Sequence, residues 1–416
     1  MHPLKVCALL GALALSSGIS LGQGNAPQGA ATAPVESPPP AERGRYLADI
    51  GNCVSCHTRA GGEPFAGGVP FQTPVGTLYS TNITPDPKTG IGSWQAGDLR
   101  RAMHTGITPD GSHLFPAFPY TSFTKVTDAD VDDIYAYLRT LKPVSYTPPS
   151  NGALFSMRWP MGLWNKMFFR EGRLAADSKQ SEEWNRGAYL VEGLGHCSAC
   201  HTPRNLFLAE QPGNPYQGGR IQDSVAPEKV RPWFAVNLTS QKHGLGAWSV
   251  ADLSKYFQTG VSLRAGTFGP MNEVIVNSLK RLTPADAHAM AVYVKSLQGP
   301  EFTGEAVAAA QVASGAAIYK DRCEKCHGGS GRGGFFSGPP VAGSAVVQAE
   351  GPASLINIVL YGPTVPQGMK FGGWETMPSY ADILNDDQVA AVSNFMRGSW
   401  GNRAAPVSAA QVAQQR

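Results

Sequence analysis

The sequence has few of the features that mark membrane-spanning, nucleic-acid-binding or heavily disulfide-bonded proteins. Beyond the N-terminal segment, no stretch reaches the roughly 18 to 20 uninterrupted apolar residues that span a bilayer, so we expect the mature chain not to be transmembrane. Only 16% of the residues are charged and the formal net charge is +3, which gives no nucleic-acid signature. Cysteine is scarce, with seven in 416 residues, so the position of each one is informative.

The length and the N-terminus set the organisation of the chain. A chain of 416 residues is too long for one ordinary core and suggests two or three domains. Lys5, an apolar run from Val6 to about Leu15, and small residues up to Gly22 predict a secretory signal peptide over residues 1–22. Residues 23–40 are rich in proline, alanine and glycine, which predicts an extended linker.

The cysteines follow one pattern after the signal peptide, which contains Cys7. The other six, each pair followed by a histidine, form three Cys-x-x-Cys-His units: Cys53, Cys56 and His57; Cys197, Cys200 and His201; Cys323, Cys326 and His327. A disulfide framework has no reason to place histidine there three times, and a zinc site would need a second ligand pair in each unit. Covalent c-type haem attachment requires this arrangement, with two thioether bonds and the histidine as proximal iron ligand. We therefore expect three covalently bound haem c groups.

Each unit lies in a repeated plan that predicts two crossing helices. A helix containing a glycine leads into each motif, and a second helix with a Thr or Asn N-cap carries an aromatic residue ten positions after the cap. The glycine, cap and aromatic residues are Gly44, Thr127 and Tyr137; Gly187, Thr283 and Tyr293; Gly315, Asn385 and Phe395. The expected fold is mainly α, with three tandem class I-like cytochrome c domains and loop-rich insertions. The predicted domains span 41–150, 184–300 and 313–400, separated by an aromatic and Met-rich connector (151–183) and a linker (301–312), and followed by a polar tail (401–416).

An electron-transfer haem is best served by a second strong axial ligand, and methionine also raises its potential. Met271 and Met377 each lie beside a proline in the loop before the capped helix, so both are predicted iron ligands. Met369 is a rival in the third domain, whereas Met290 and Met396 fall inside helices and are interpreted as packing residues.

The first domain lacks a methionine at the corresponding place, where the chain has Phe118. The candidates for its sixth ligand are Met161, which is our prediction, and Met103 as the alternative. Met103 aligns with core hydrophobes of the other domains, Phe257 and Val359. The histidines His104 and His113, or an open coordination position, are the remaining possibilities.

Two aromatic features of the sequence each have two interpretations. The connector segment 151–170 is rich in Trp, Phe, Leu and Met, which predicts either burial between domains or an exposed patch for a partner protein or a membrane surface. Trp94 and Trp248 recur in a Gly-x-Gly-x-Trp element shared by the first two domains. They either fill the core or pack near a haem edge.

The motifs together resemble a known family. The three Cys-x-x-Cys-His units, RGAYLVEGLGHCSACHTPRN from Arg186, PAFPYTSF from Pro116 and MRWPMGLWN from Met157 resemble the tri-haem cytochrome c subunit of bacterial membrane-bound periplasmic dehydrogenases, including alcohol, gluconate, fructose, sorbitol and aldehyde dehydrogenases. The resemblance implies a non-catalytic relay subunit. Its partner would be a catalytic subunit with pyrroloquinoline quinone, flavin or molybdopterin, and its acceptor ubiquinone or a terminal oxidase.

The same resemblance implies a periplasmic protein peripherally associated with the outer face of the cytoplasmic membrane. A freestanding multihaem electron carrier is the alternative function, since it needs only the haems. A haem enzyme such as a peroxidase is a third hypothesis, motivated by the irregular first site, and it would require an exchangeable iron position.

Overall fold

Helices recur in three repeats along the chain, which we call the first (41–150), second (184–300) and third (313–400) repeat. The structure, a computed structural model, describes residues 37–73, 76–152, 155, 157–226, 229–334, 337–366, 369, 371 and 373–416. The predicted signal peptide, Cys7 and most of the predicted linker lie outside these residues. Residues Pro39–Arg416 form one unit by their contacts; of the other unit, Met1–Pro38, only residues 37 and 38 are described.

The described residues of the first repeat and the connector contain six helices and a short antiparallel hairpin. The helices are α1 (Pro40–Ile50), α2 (Cys53–His57), α3 (Ala96–Thr105), α4 (Tyr120–Phe123), α5 (Asp128–Leu138) and, in the connector, α6 (Pro160–Phe168). The hairpin pairs β1 (Pro70–Thr73) with β2 (Gly76–Tyr79) in the register Pro70 to Tyr79. This hairpin is one of the expected loop insertions, placed directly after the first cysteine motif.

The second repeat repeats this order of elements. Its helices are α7 (Glu182–Tyr189), which continues as a π-helical turn (Leu190–Leu194), α8 (Ser198–His201), α9 (Val250–Thr259), α10 (Met271–Asn277), a 3-10 turn (Leu279–Arg281) and α11 (Pro284–Ser296). Strands β3 (Gly219–Ala226) and β4 (Lys229–Ala235) form the antiparallel hairpin. The third repeat has helices α12 (Ala309–Arg322), α13 (Glu324–His327), α14 (Ala353–Tyr361) and α15 (Asp386–Gly398), and α16 (Ala409–Ala413) follows it.

The predicted crossing of two helices is confirmed in all three repeats by the same close contact. A β-carbon at Gly187 would lie 2.0 Å from the carbonyl oxygen of Ala289, and one at Gly315 would lie 2.0 Å from that of Ala391. At Gly44 the distance to the carbonyl oxygen of Asp133 would be 1.7 Å. Only glycine lets the two backbones approach this closely. The predicted N-caps are confirmed too, because the side chains of Thr127, Thr283 and Asn385 accept backbone N–H hydrogen bonds.

The first and second repeats face each other through two pairs of equivalent contacts. Tyr46 of α1 donates a hydrogen bond to Asp286 of α11 (2.6 Å). The equivalent Tyr189 of α7 donates to Asp130 of α5 (2.5 Å).

Two ion pairs also join equivalent residues of the first and second repeats. Arg281 lies 3.7 Å from Asp49, and the equivalent Lys125 lies 2.6 Å from Glu192. The two repeats are therefore related by an approximate two-fold axis, which matches their shared sequence elements.

The hydrophobic cores reflect this contact between the first two repeats. The first two repeats contribute to one shared hydrophobic cluster, including Leu47 and Ile134 from the first and Leu190 and Val294 from the second. The third repeat has a cluster of its own. The expected tandem domains are thus not three independent cores, because the first two bury their helix pairs against each other.

The C-terminal segment 401–416 packs on the third repeat, although its composition predicted a polar tail. Val407 and Val412 are buried in the hydrophobic cluster of the third repeat, which we call the third cluster. The side chain of Asn394 on α15 accepts a hydrogen bond from the N–H of Val407 and donates one to its carbonyl. The predicted linker 301–312 likewise ends inside α12, which begins at Ala309. Among the described residues, no helix is long and apolar enough to cross a membrane.

Candidate haem-binding sites

The three Cys-x-x-Cys-His units adopt the same local form, a short helical turn that ends at the histidine. The turns are α2, α8 and α13, and their histidines are His57, His201 and His327. None of the six cysteines forms a disulfide in the described structure. A turn of this kind brings the second cysteine and the histidine, three and four residues after the first cysteine, close to that first cysteine on the helix surface, which covalent haem attachment needs.

Each histidine is oriented by a backbone carbonyl. The Nδ1 atom lies 2.6 Å from the carbonyl oxygen of Thr81 for His57, and 2.7 Å from that of Val236 for His201. For His327 the partner is the carbonyl of Pro339, at 2.8 Å. Donation from Nδ1–H fixes the tautomer and leaves Nε2 with a free lone pair, the arrangement that a metal-ligating histidine requires.

Burial lowers the pKa of all three histidines, although the carbonyl bonds oppose it. The imidazoles are therefore neutral at pH 7, as an iron ligand must be. Burial raises the pKa of the Cys53 and Cys197 thiols to about 12. Such protonated thiols are poor ligands for a free metal ion, so the sites suit covalent attachment better than a thiolate metal centre.

Sequence reasoning missed the carbonyls of Thr81 and Val236, although a signal was present. Each precedes an asparagine of the Asn-x-Thr element shared by the first two repeats, Asn82 and Asn237. Both asparagines are buried and accept a hydrogen bond from the backbone N–H two residues later. The element thus holds the loop that presents the carbonyl to the histidine.

The site in the second repeat lies in an apolar cavity of about 210 Å³. His201 and Met271 both line it, so the structure brings the predicted proximal and distal ligands to one cavity. Trp248 is also part of the wall and is 8% exposed, so it packs in the core, and its place near a haem edge stays a prediction. The Nε1 of Trp233 is buried in the wall without a hydrogen-bond partner among the described residues, and Arg264 lies nearby. These donors fit the acidic propionates of a haem, and the residues present therefore fit the group.

The walls of this cavity come from all three repeats. Ile50 and Asn52 belong to the first, and the segment from Pro340 to Val346 belongs to the third. The adjacent Pro339 carbonyl contacts His327, so one segment joins the second and third sites. Burial raises the pKa of Cys56 in the first site, and Glu273 and Cys200 of the second repeat raise it further. Cys56 and Cys200 are therefore close enough to interact electrostatically, which links the first and second sites. The second site is therefore the central one.

The third site has its predicted methionine beside the cysteine motif. Met377 is half-buried against the third cluster, which Cys323 also contacts. Glu375, two residues earlier, lies 3.9 Å from the Sγ of Cys326. The rival Met369 instead packs against the second repeat, where its sulfur would lie 3.0 Å from a β-carbon at Gly260.

The first site differs at the methionine position. In the first repeat, the N–H of Leu114 donates to the carbonyl of Gly106, and Phe118 follows four residues later. In the second repeat, the N–H of Thr267 donates to the carbonyl of Gly260 in the same way, and Met271 follows four residues later. Phe118 thus occupies the methionine position. Met161, on α6, packs with Phe118 around the cluster of Tyr120, Trp164 and Ala209.

The other candidates for this site have partners elsewhere. Met103 is 5% exposed in the shared core. His104 is buried against the guanidinium of Arg173, and burial followed by that charge lowers its pKa to about 4. His113 packs against Gly162 of α6.

Comparisons with known proteins agree with this geometry. Residues 41–142 match the family described as cytochrome c, and residues 310–396 match the family described as cytochrome c oxidase, cbb3-type, subunit III. The gluconate 2-dehydrogenase cytochrome c subunit of Pantoea cypripedii is 40% identical over 395 residues, covering 90% of this chain and 89% of that protein. The chain belongs to the family of dehydrogenase cytochrome c subunits. The cytochrome c subunit of the quinone alcohol dehydrogenase from Gluconacetobacter polyoxogenes is 38% identical, covering 90% of this chain and 84% of that protein.

A further relative of this dehydrogenase cytochrome c subunit is much longer. A nicotinate dehydrogenase subunit of Pseudomonas putida is 42% identical over 86% of the chain, but the chain spans only 30% of that protein. Membership of the family gives the chain an electron-transfer role. The half-buried, carbonyl-oriented histidines and the apolar second cavity are suited to that role, because they hold a cofactor rigidly and exclude water from it.

Proposed function

We propose that the chain is a tri-haem c-type cytochrome, built from three cytochrome c domains, that relays electrons from a separate catalytic dehydrogenase subunit to ubiquinone. The single observation that carries this proposal is the threefold recurrence of a carbonyl-oriented histidine directly after a pair of unlinked cysteines. Haem c, once attached, supplies a one-electron couple. The protein residues attach it, orient its proximal ligand and shield it from water.

The names of the relatives support the partner that we propose, and the family resemblance of the sequence implies the location. Their names describe subunits of gluconate, alcohol and nicotinate dehydrogenases, which supports a catalytic partner subunit carrying pyrroloquinoline quinone, flavin or molybdopterin. We place the chain in the periplasm after removal of residues 1–22, peripherally associated with the outer face of the cytoplasmic membrane. A terminal oxidase is the other acceptor consistent with this role.

The axial ligands in this proposal are His201 with Met271 and His327 with Met377. Support comes from the shared cavity in the second repeat and from the position of Glu375 beside Cys326 in the third. For the first repeat the proximal ligand is His57, and Met161 remains our prediction for the sixth. The supporting observation is that Met161 and Phe118 pack against the same small cluster of Tyr120, Trp164 and Ala209.

The test is a pull-down of the chain from native membranes combined with intact-mass analysis. We expect three haem adducts on one polypeptide and co-purification with a larger catalytic subunit, whose substrate reduces the haems. Recovery of a monomeric tri-haem protein without a partner would favour the freestanding carrier. Fewer than three adducts, or cysteines oxidised to one another, would refute the proposal.

A further inference from the structure

Helix α6 presents a stripe of apolar side chains to solvent. Trp159, Leu163 and Met167 are spaced four residues apart, so they lie along one face of the helix. Their exposed fractions are 75%, 57% and 48%. The opposite face is buried, with Trp164 only 8% exposed. The helix therefore has an apolar core face and a second apolar face that no described residue covers.

A short loop continues this surface. Leu206, Phe207 and Leu208 are 98%, 62% and 50% exposed. The Oδ1 of Asn205 accepts hydrogen bonds from the N–H groups of Phe207 and Ala209, which fixes the loop that carries these side chains. The tip is thus a defined protrusion.

Helix α6 and this loop pack on each other, and we call their exposed apolar side chains the apolar ridge: Trp159, Leu163, Met167, Leu206, Phe207 and Leu208. Trp164 donates its Nε1–H to the carbonyl of Phe207 (2.9 Å), and the ring of Phe207 lies 5.5 Å from that of Phe168. Ten large apolar side chains are exposed in the described part of the chain, and six of them belong to the ridge. Exposure on this scale marks an interaction surface.

The charges around the ridge are positive. Lys166 and Arg170 are exposed on and just after α6, and neither forms an ion pair among the described residues. The neighbouring acidic residues are already near cations, since Glu171 lies 4.0 Å from Arg173 and Glu210 lies 3.9 Å from Arg204. Protruding tryptophan, phenylalanine and leucine side chains with an unpaired cationic border fit an anionic lipid surface.

We propose that the apolar ridge docks the protein onto an anionic phospholipid surface, with its apolar side chains inserted at the boundary between headgroups and acyl chains. This inference rests on the proposed function, because it assigns the surface for the peripheral membrane association stated there. The loop is also tied to the second haem motif, since Arg204 donates a hydrogen bond to the carbonyl of Ala199 (2.8 Å). Docking through the ridge would hold the central haem site near the membrane surface, where a lipid-soluble quinone is available.

The test uses the purified tri-haem protein and its co-sedimentation with vesicles of phosphatidylcholine, with and without phosphatidylglycerol. The double variant Leu163→Ser/Leu206→Ser should bind the phosphatidylglycerol vesicles about tenfold or more weakly than wild type. The control, Leu263→Ser/Ile383→Ser, also removes two exposed apolar side chains (57% and 53%), but outside the ridge, and should bind like wild type. Unchanged haem absorption and far-ultraviolet circular dichroism establish that both variants are folded.

The charge contribution is tested with Lys166→Glu/Arg170→Glu, which should lose most of the added affinity for phosphatidylglycerol and most of its salt dependence. Failure of the wild type to bind vesicles, or equal binding by the ridge variant and the control, would overturn the proposal. If the ridge variant still binds vesicles but no longer forms the complex with the catalytic subunit, the ridge is a protein interface. That result would also overturn the proposal. Reduction of the haems by the catalytic subunit is measured separately, so a failure of the relay function is distinguishable from a failure of docking.

Discussion

Replacing Gly187 with alanine should destabilise the protein, although alanine is the better helix former. A β-carbon at this position would lie 2.0 Å from the carbonyl oxygen of Ala289 and 2.9 Å from the Cβ of Tyr293. Normal contacts of this kind exceed about 3.4 Å, and the nearest obstacle is backbone, so α7 and α11 must move apart. Overpacking a core typically costs about 1–3 kcal/mol, and a clash with backbone belongs at or above the upper end. We expect a loss of about 3 kcal/mol in the free energy of unfolding.

Gly97→Ala is the matched control, because Gly97 also lies in a helix but has open space around it. The nearest heavy atom to its β-carbon would be in the flexible side chain of Arg100, 3.8 Å away. Here the helix propensity of alanine should stabilise the protein by about 0.5–1 kcal/mol. Guanidinium unfolding of the haem-containing protein, followed by far-ultraviolet circular dichroism, measures both variants. If Gly187→Ala is as stable as wild type, the close crossing of α7 and α11 does not exist as described.

Two further predictions concern the second haem site and the contact between the first two repeats. Met271→Ala should open one axial position, so that one haem binds carbon monoxide in a difference spectrum. Met290→Leu, a packing change in α11, is the control and should not bind it. If Met271→Ala shows no carbon monoxide spectrum, Met271 is not an iron ligand. Burial alone would raise the pKa of Asp286, but hydrogen bonds from Arg186 and Tyr46 outweigh it and lower the pKa. The resulting stability is present above the unfolded-state pKa of about 3.9 and is lost as the pH falls through the folded-state pKa. Tyr46→Phe should therefore reduce the free energy of unfolding at neutral pH by an amount that shrinks below about pH 4, and a pH-independent difference in denaturant unfolding would contradict this account.

The helical turns at the cysteine motifs and the helix pairs were predictable because their signals are local. Covalent haem binding needs two thiols and an imidazole within five residues, so the motif at Cys197 is complete in one stretch of sequence. The cap at Thr283 and the glycine at Gly187 are likewise single residues with single physical functions. The carbonyl of Pro339 was within reach of prediction because it is only 12 residues from His327.

The remaining parts of the sites depend on contacts between distant segments. The carbonyls of Thr81 and Val236 lie 24 and 35 residues from their histidines, and only the folded loop places them there. The connector was ambiguous because its composition does not say which face of α6 is covered. The structure decided this by burying Trp164 and exposing Trp159.

The sequence by itself determined that three Cys-x-x-Cys-His motifs recur in three similar helix pairs, because each motif and each pair is specified by short-range chemistry. Only the tertiary structure decided how the repeats combine. The hydrogen bond from Tyr46 to Asp286 joins residues 240 positions apart, and no local pattern encodes such a pairing. The shared core of the first two repeats and the central position of the second cavity follow from apolar faces that become neighbours only when the whole chain has folded.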